Sequence, residues 1–560
     1  MSQDELLKST TALTQSPSPD KDEENLTEAT KANSWKPKWR EWLVIICCCV
    51  IAVVVALDAT ILVPLLPVIV TRFKNGGIQA NFEKRLSESL GGTPVETFWT
   101  GTAYLVPCAV FQPFITSLSD LFGRRPLLFL SLSLFTVGTL VCCLAGGFPQ
   151  LLTGRVVQGI GGAGSMSVCY VILADIIPLR QRPLYFAMLS LAGALGTIVG
   201  PLIGGLFVQY SIWQWAFYIN FPFCGMGLAL VLVAVKLKSK PMPLKAKLVQ
   251  IDWAGATLFI ASACSFLIGL SWGGTQFPWS SWHTLVPIVL GIVGLGGSIY
   301  WENSIASRPF LRVQLFKKRS TIVAYTCIFI QGLMLFCELY YIPIYLESVK
   351  DLSPTLAGVG LIPISAVVLP TSAVCGALIS RYGRFRWAIW SGWGTTIIAT
   401  SLLLLLDPNI KTYGWVLIFA AVGLGHGLNF TALSICVQAF ADTPDVSYAA
   451  GLYTFMRTFG MCIGVPIGGT MFQNRFNYHI RDLDLPYGVS TNAEVLIETL
   501  KKITVSPDLR QSLHLAYAQS FQDVVKVLIG LAVVGGISSL FLESATMDRQ
   551  LESEHVLEGA

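Results

Sequence analysis

The loop TSLSDLFGRRP, at residues 116–126, recurs in altered form as GALISRYGRFRW, at residues 376–387. Each copy follows an apolar run long enough to cross a membrane, and each sets a glycine, Gly123 or Gly383, directly before arginines. A repeated loop indicates a repeated half. The chain is therefore expected to form two similar helical bundles related as parallel repeats.

Composition places these bundles in a lipid bilayer. Of 560 residues, 53% are hydrophobic and only 13% are charged, about half the charged share of a typical globular protein. A water-soluble body of this size could not cover its surface with so few charges. Soluble enzymes, nucleic-acid-binding proteins and disulfide-stapled secreted domains are excluded. The fourteen cysteines have no CxxC or metal-ligand spacing and are interpreted as small apolar residues.

Apolar runs predict an all-α polytopic membrane protein with fourteen transmembrane helices, each long enough for a hydrocarbon layer ~30 Å thick. The predicted spans are 42–70, 98–118, 126–146, 150–174, 184–208, 215–235, 252–272, 283–302, 321–346, 355–380, 387–406, 413–438, 447–472 and 522–542.

Lysine and arginine set the predicted orientation. They crowd the short loops on one side, at residues 124–125, 236–247 and 381–386, whereas Lys350 and Lys411 are the exceptions on the other. Short loops rich in these residues face the cytosol. Because the number of spans is even, both termini are predicted to be cytosolic.

The predicted organisation is two six-helix bundles with two inserted helices between them. A polar tail over residues 1–40 is interpreted as disordered and cytosolic, because it has too little apolar surface to fold. The rest divides into a first bundle over 41–235, a cytosolic linker and two inserted helices over 236–302, a second bundle over 303–542 with an extracytosolic loop at 473–521, and a cytosolic tail over 543–560.

Five motifs together resemble a known family. The loop at 116–126 is similar to G-x-L-x-D-x-x-G-R-R, with Thr116 in place of the first glycine. The others are LDATILVPLLP at 57–67, LLTGRVVQGIGGAG at 151–164, GTIVGPLIGG at 196–205 and YYIPIYLESVKDLSPTLAGVGLIP at 340–363. The chain resembles the fourteen-span drug:proton antiporter-like family of the major facilitator superfamily, of the fungal multidrug and secondary-metabolite (toxin) efflux type. Pro64, Leu65 and the pair Leu346-Glu347 depart from the family pattern.

The resemblance implies a secondary active transporter that exports amphipathic organic small molecules by proton antiport with alternating access. The sequence has no Gly-Lys pair and so no phosphate-binding loop G-x-x-x-x-G-K-[ST]. The expected energy source is a proton gradient, with no cofactor. The expected partners are a small organic substrate, protons and lipid, without nucleic acid, and we expect a monomer in the plasma membrane.

The sequence leaves two alternatives open and disfavours a third. One is a vacuolar or uptake transporter of basic amino acids or metal chelates with the same fold, and another is a membrane sensor that does not transport. A membrane enzyme is disfavoured, because the five histidines are far apart and no H-x-x-x-H pair or metal site is evident.

Ionisable residues inside spans are the first site candidates, because a charge at the bilayer centre costs ~2.5–3.5 kcal/mol on insertion scales. The resemblance implies proton coupling for Asp58 in span 1 and Arg155 in span 4, and Gln158, about one turn from Arg155, extends the polar face. Glu338 in span 9 is the matching cavity acid of the second half. The alternative is structural, namely that these side chains only tie helices together.

The repeated loop supplies a second candidate group. Asp120, Gly123, Arg124 and Arg125 are predicted to latch the cytosolic face, because an acid there can pair with an arginine or lie at a helix N-terminus. The second copy has Ser380 at the place of the acid, so the latch should be asymmetric. The alternative is that the arginines only contact lipid headgroups.

Span 5 carries the third group. Gly196, Gly200 and Gly204 recur every four residues, so they line one helix face and allow close approach of a neighbour. Pro201 permits a kink, and Gly205 extends the small-residue pattern. The resemblance associates this pattern with antiporters and predicts a flexing seam, whereas the alternative is ordinary close packing.

Two further candidates are His426 in span 12 and Arg457 near the inner end of span 13. A lone histidine in a span is more often a packing residue with its hydrogen bonds satisfied. Both remain candidates for the substrate or proton pathway.

Overall fold

The computed structural model describes residues 37–61, 94–210, 214–237, 242–274, 276–306, 308–442, 445–481 and 506–545, together with 483, 493, 496 and 547. These residues form eighteen α-helices and two short 3₁₀ helices. Most of the predicted tail over 1–40, nearly all of the predicted tail over 543–560, and part of the predicted loop over 473–521 lie outside the described residues.

Helices α1 to α8 fall within the predicted first bundle. Their bounds are α1 Trp39–Ile61, α2 Pro94–Val110, α3 Gln112–Phe122, α4 Arg124–Cys143, α5 Phe148–Ile176, α6 Arg182–Tyr210, α7 Trp215–Tyr218 and α8 Asn220–Ala234. Helix α1 packs against α5, α6 and α8, and α4 packs against α5.

The linker and the second bundle contain the remaining helices. Their bounds are α9 Leu244–Val249, α10 Trp253–Trp272, α11 Trp282–Ser304, α12 Arg319–Val349, α13 Pro354–Val359, α14 Ile362–Tyr382, α15 Arg386–Leu402, α16 Thr412–Phe440, α17 Val446–His479 and α18 Pro507–Leu540. Helix α12 packs against α17 and α18, and α16 packs against α14 and α15.

The two copies of the repeated loop form turns between consecutive helices. Gly123 lies between α3 and α4 with φ of 98°, and Gly383 follows α14 with φ of 65°. Residues with a side chain rarely adopt these backbone angles, which explains why both copies keep a glycine there. Both copies therefore form a turn at a glycine with positive φ, although ψ is 151° at Gly123 and 20° at Gly383.

Twelve described helical segments are long and apolar enough to cross a membrane, and the bent pair Trp99–Val110 and Gln112–Phe122 is a thirteenth if taken as one span. The two parts meet at 47°. Pro113 in the first turn of α3 has no N–H to continue the helix ladder, which explains the break. Because Val446–His479 is not among these segments, the fourteen spans and the cytosolic termini stay predictions.

The last two long helices extend into the segment predicted as the loop 473–521. Helix α17 continues to His479, and α18 begins at Pro507 rather than at the predicted residue 522. Ser506 caps α18 by accepting a hydrogen bond from Leu509 N, with Pro507 in its first turn. The helix begins before the predicted span because hydropathy marks the apolar part of a helix and misses its polar first turns, and the span boundary stays a prediction.

The inserted helix α10 lies between the halves. Its Trp272 ring is 6.2 Å from the ring of Trp99 in α2, and its Phe259 ring is 5.9 Å from that of Phe455 in α17. Helix α11 packs on the outside of α10 and exposes large apolar side chains such as Val293. The inserted pair thus covers one flank of the molecule and presents an apolar surface suited to lipid.

Candidate functional site

A central cavity lies between the two bundles. Its wall comes from α1, α2, α3, α5 and α6 on one side and from α12, α14, α16 and α17 on the other. The wall is mostly apolar with scattered polar groups. The polar groups of the wall include Tyr104, Gln112, His426, Arg457 and Thr458.

The first polar site of the first bundle is a buried ion pair. Arg155 Nη1 lies 2.6 Å from Asp58 Oδ2, and the two side chains are 1% and 0% exposed. Arg155 also donates from Nε to Thr100 O at 3.1 Å. The two residues predicted to act in proton coupling are therefore in direct contact.

Neighbouring amides complete this network. Gln158 Nε2 and Asn220 Nδ2 each donate to Asp58 Oδ1 at 2.8 Å, so the carboxylate receives hydrogen bonds from α5 and α8 as well as the ion pair. Gln158 Oε1 accepts from Arg155 Nη1 at 2.7 Å, and Gln158 Nε2 also donates to Thr139 in α4. Because the charge on Asp58 is surrounded by donors, its burial is compensated.

The Asp58–Arg155 pair lies behind the wall of the central cavity. Tyr104 covers it, with its ring centroid 4.4 Å from Arg155 Cζ, its own side chain in the cavity wall, and its hydroxyl donating to Val55 O at 3.3 Å. The sequence predicted a cavity-facing position for Asp58 and Arg155. The structure instead places them one layer deeper, because their polar atoms are satisfied by buried partners.

The second bundle contains a different buried pair. His426 Nε2 lies 2.7 Å from Glu338 Oε2, and both side chains are 1% exposed. Thr400 donates to Glu338 Oε1 at 3.4 Å. His426 lines the central cavity, so Glu338, predicted as a cavity acid, is linked to the cavity through this histidine. The sequence treated the two residues as separate candidates, and the structure brings them together.

Arg457 of α17 also lines the central cavity. Its Cζ lies 3.8 Å from the centroid of the Phe430 ring, a cation–π distance. Arg457 is therefore the fixed positive charge of the cavity wall, on the side of the second bundle.

The predicted latch residues lie in an ionic cluster at the predicted cytosolic end. Asp120 pairs with Arg124, and Arg124 Nε lies 2.8 Å from Asp175 Oδ2. Arg312 Nη2 lies 2.9 Å from Asp120 Oδ2, and Arg312 also pairs with Asp445. Since Arg312 and Asp445 belong to the second half, the cluster joins the halves.

Other residues of the repeated loop have different places. Arg125 donates to Leu232 O at 2.7 Å within the first bundle, outside the ionic cluster, and Gly123 supplies the turn. Ser380, in the second copy, donates to Gln181 at 3.3 Å and so reaches the first half without an acid. Both loop copies thus touch the opposite half, with different chemistry.

The glycines of α6 pack against α1 within the first bundle. A Cβ at Gly196 would lie 2.9 Å from Leu57 N, and one at Gly200 would lie 3.0 Å from Leu57 O. Gly204 faces the backbone of Ile61 in the same way. Pro201 and Gly205 lie in the same helix, which is continuous there. Close approach of two helices explains the spacing, and a gating role stays a prediction.

A model of the Major Facilitator Superfamily matches residues 48–465. The chain belongs to the Major Facilitator Superfamily. It is 35% identical to the MFS transporter L2 of Phoma sp. over 94% of this chain and 85% of the relative. It is 30% identical to the efflux pump FUS6 of Gibberella fujikuroi over 95% of this chain and 94% of the relative.

Solved structures share the fold of this superfamily member. The human organic anion transporter MFSD10 (TETRAN) has a TM-score of 0.56 at 16% identity, covering 90% of this chain and all of its own. The proton:xylose symporter XylE has a TM-score of 0.54 at 12% identity, covering 90% of this chain and 97% of its own. The family resemblance and the all-α membrane fold are therefore confirmed.

A second row of glycines on one helix face was not among the residues predicted from the sequence. Residues 464–469, GVPIGG, resemble GPLIGG at 200–205, and the shared pattern was the available signal. In α17, Gly460, Gly464 and Gly468 recur every four residues and face α12, as the α6 glycines face α1. Each half of the transporter fold thus has its own close-packed pair.

Sequence analysis also missed partners of the polar sites. Asn220 had a signal, since it is an amide at the start of an apolar helix, where polar residues mark function or packing. Asp175, Asp445 and Arg312 had none beyond their charge, because their pairing depends on contacts between distant segments. Tyr104 had none, since aromatic residues are common throughout the spans.

Proposed function

We propose that this multi-pass membrane protein exports amphipathic organic small molecules, such as drugs, toxins or secondary metabolites, in exchange for protons. The observation that carries the proposal is the Asp58–Arg155 pair, buried directly behind a cavity between two halves. Its position fits a group that binds a proton when the wall around Tyr104 rearranges. Relatives named as efflux pumps support the direction of transport.

The mechanism is alternating access around the central cavity. On the predicted cytosolic side, Gln112 Nε2 donates to Thr458 Oγ1 at 3.3 Å across the halves, and the Asp120–Arg312 pair lies beyond it. Separation of these contacts admits substrate from the cytosol, and the same rearrangement lets a proton leave Asp58 or Glu338. Reprotonation from the other side releases the substrate.

The energies fit a reversible cycle. The Asp120–Arg312 side chains are 26% and 32% exposed, so the pair contributes about 1 kcal/mol or less and is easily broken. One proton crossing ~100 mV contributes about 2.3 kcal/mol, enough for a roughly fifty-fold substrate gradient. Transport by proton exchange thus needs no other energy source or cofactor.

Inside-out vesicles test the proposal. Vesicles with the wild-type protein are incubated with an organic extract of the source organism, and accumulated compounds are measured by mass spectrometry with and without an imposed pH difference. We expect accumulation that requires the pH difference and that Asp58→Asn abolishes. Asp252→Asn is the matched control and should retain transport, because Asp252 caps the inserted helix α10, accepts a hydrogen bond from Trp301 and does not line the cavity.

Two outcomes would contradict this proposal in different ways. Accumulation that persists without any pH or voltage difference would rule out proton exchange, and Asp58→Asn with full proton-driven accumulation would rule out the assignment of Asp58. Accumulation no greater than in vesicles without the protein would rule out export itself.

The proposal places the protein in the plasma membrane as a monomer that performs no catalysis. A fluorescent tag separates this location from the vacuolar alternative, because the two membranes are distinct by microscopy. Light scattering on the detergent-solubilised protein measures the number of chains per particle.

A further inference from the structure

The wall of the central cavity has an unbalanced charge. In the part of the chain that the structure describes, no aspartate or glutamate lines it, whereas Arg457 and His426 both do. The remainder of the wall is mostly apolar. A cavity of low polarity with basic groups only provides a positive potential, and low-dielectric walls strengthen that potential.

Arg457 differs from the buried arginines of the membrane bundle, because it is only half-buried and lines the cavity. Arg124 and Arg155 each pair with an aspartate at 2.8 Å or less, whereas Arg182 donates to Ile177 O at 2.7 Å and to Gln438 Oε1 at 3.2 Å. No carboxylate pairs with Arg457 among the described residues, and its buried Nε has no hydrogen-bond partner there. An arginine at membrane depth normally finds a counter-charge or lies in a water-filled cavity. An anion that enters the cavity could therefore pair with Arg457.

His426 adds a second group beside Arg457. Glu338 holds its Nε2, while its Nδ1 has no hydrogen-bond partner in the described structure. Phe430 lies one turn along the same helix face as His426, and the Arg457 guanidinium stacks on the Phe430 ring. The aromatic ring thus lies next to both polar groups, so one part of the cavity wall combines a cation, a histidine and an aromatic face.

The acids near the cavity do not cancel this charge. Asp58 is paired with Arg155 behind Tyr104, and Glu338 is held by His426. In the described part of the wall, no acid therefore offsets the charge of the Arg457 guanidinium. A cationic cargo would meet repulsion here, and an anionic cargo would gain an ion pair.

We propose that the central cavity selects amphipathic organic anions, whose carboxylate or similar acid group binds Arg457 while the apolar body contacts Phe430 and the opposing wall. Arginine presents a planar fork of donors that matches a carboxylate, so the ion pair also orients the cargo. This inference rests on the proposed export function and names its substrate class.

Three fluorescent probes of one shape test the charge preference on purified full-length protein. They are 9-anthracenecarboxylate, the neutral 9-anthracenecarboxamide and the cationic 9-(aminomethyl)anthracene, with binding followed by fluorescence titration without any gradient. We expect the carboxylate to bind at least ~10-fold more tightly than either of the other two, since a hydrogen bond to a charged partner is worth a factor of this order.

Variants then assign the preference to Arg457. Arg457→Gln should remove the discrimination, and Arg457→Lys should retain part of it. Arg475→Gln is the matched control, because Arg475 lies on the same helix, is 54% exposed and does not line the cavity. It should leave all three affinities unchanged.

The result that overturns the inference is an amine or carboxamide that binds as tightly as the carboxylate, or a carboxylate that fails to bind at millimolar concentration. Unchanged discrimination in Arg457→Gln would also overturn it. The vesicle experiment tests export separately from these binding measurements. If it then shows export of neutral or cationic compounds, the proposed function holds and only the substrate class is wrong.

Discussion

Each half of this transporter has one buried acid–base pair close to the central cavity, but the two pairs are built differently. In the first half, Asp58 receives hydrogen bonds from Arg155, Gln158 and Asn220. In the second half, Glu338 has His426 and a longer contact from Thr400. The first pair is saturated with donors, and the second is not.

The two bases also differ in chemistry and in access. Arginine stays protonated in proteins, whereas histidine is the side chain that most readily gains and loses a proton near neutral pH. Arg155 lies behind Tyr104, while His426 belongs to the wall of the central cavity. The duplicated halves therefore differ: one ion pair is enclosed behind the cavity wall, and the other pair contributes its histidine to that wall.

The largest expected effect comes from breaking the enclosed pair. Arg155→Met leaves Asp58 buried without its cation and should lower the free energy of unfolding by about 3–5 kcal/mol. Thermal unfolding of the detergent-solubilised protein measures this loss. Arg475→Met, at a side chain that is 54% exposed, is the control and should change stability little. A small effect of Arg155→Met would show that the two pairs are energetically alike.

The second pair should tolerate replacement by two apolar side chains. His426→Leu removes the main partner of Glu338 and should cost about 1–3 kcal/mol. The double variant Glu338→Leu/His426→Leu should recover most of that stability, because neither polar group is then left unpaired. Asp58→Leu/Arg155→Leu should not recover, since Gln158 and Asn220 would still lose their acceptor. Equal recovery in both halves would contradict this difference between the two buried pairs.

The first loop copy also makes a close steric contact with the other half. In the first copy, Thr116 faces Gly451 of the other half, where an added Cβ would lie 2.5 Å from Thr116 Cγ2. Gly451→Ala should therefore separate the halves there and cost about 1–3 kcal/mol through overpacking. Adding Thr116→Gly should restore stability and transport by making room. A double variant that behaves like Gly451→Ala alone would exclude this contact as the cause.

The smallest expected effect concerns the threonines of α4 and α15. Thr139 accepts from Gln158 at 2.8 Å, whereas Thr400 donates to Glu338 at 3.4 Å. Thr139→Val should cost about 0.5–1.5 kcal/mol and Thr400→Val less, because the shorter hydrogen bond is the stronger. Parallel thermal unfolding of the two variants measures the order, and a reversed order would show that Thr400 matters more to its pair.

Sequence patterns were sufficient for the fold and for some members of the sites. Apolar runs predicted the helices, and the glycine before the arginines marked a turn with positive φ at both Gly123 and Gly383. The unusual charges in spans, Asp58, Arg155 and Glu338, all have polar partners in the structure.

Pairing was beyond sequence reasoning, because it depends on how separate helices pack. Glu338 and His426 are 88 residues apart, and Asp120 and Arg312 are 192 apart, so no local spacing connects them. The depth of a side chain behind the cavity wall could not be predicted either, since a residue type does not say whether Tyr104 or Asp58 forms that wall. The start of α18 was missed because its first turns are polar.

The inserted helix α10 makes the two flanks of the molecule unequal. It occupies the groove between α2 and α17, where Thr470 donates to Gly273 at 3.1 Å and fastens its far end. On the opposite flank, α6 meets α14 directly. Among the described helices, a lipophilic compound that enters sideways from the bilayer would therefore have to displace α10 on one flank, but to part only the α6–α14 contact on the other.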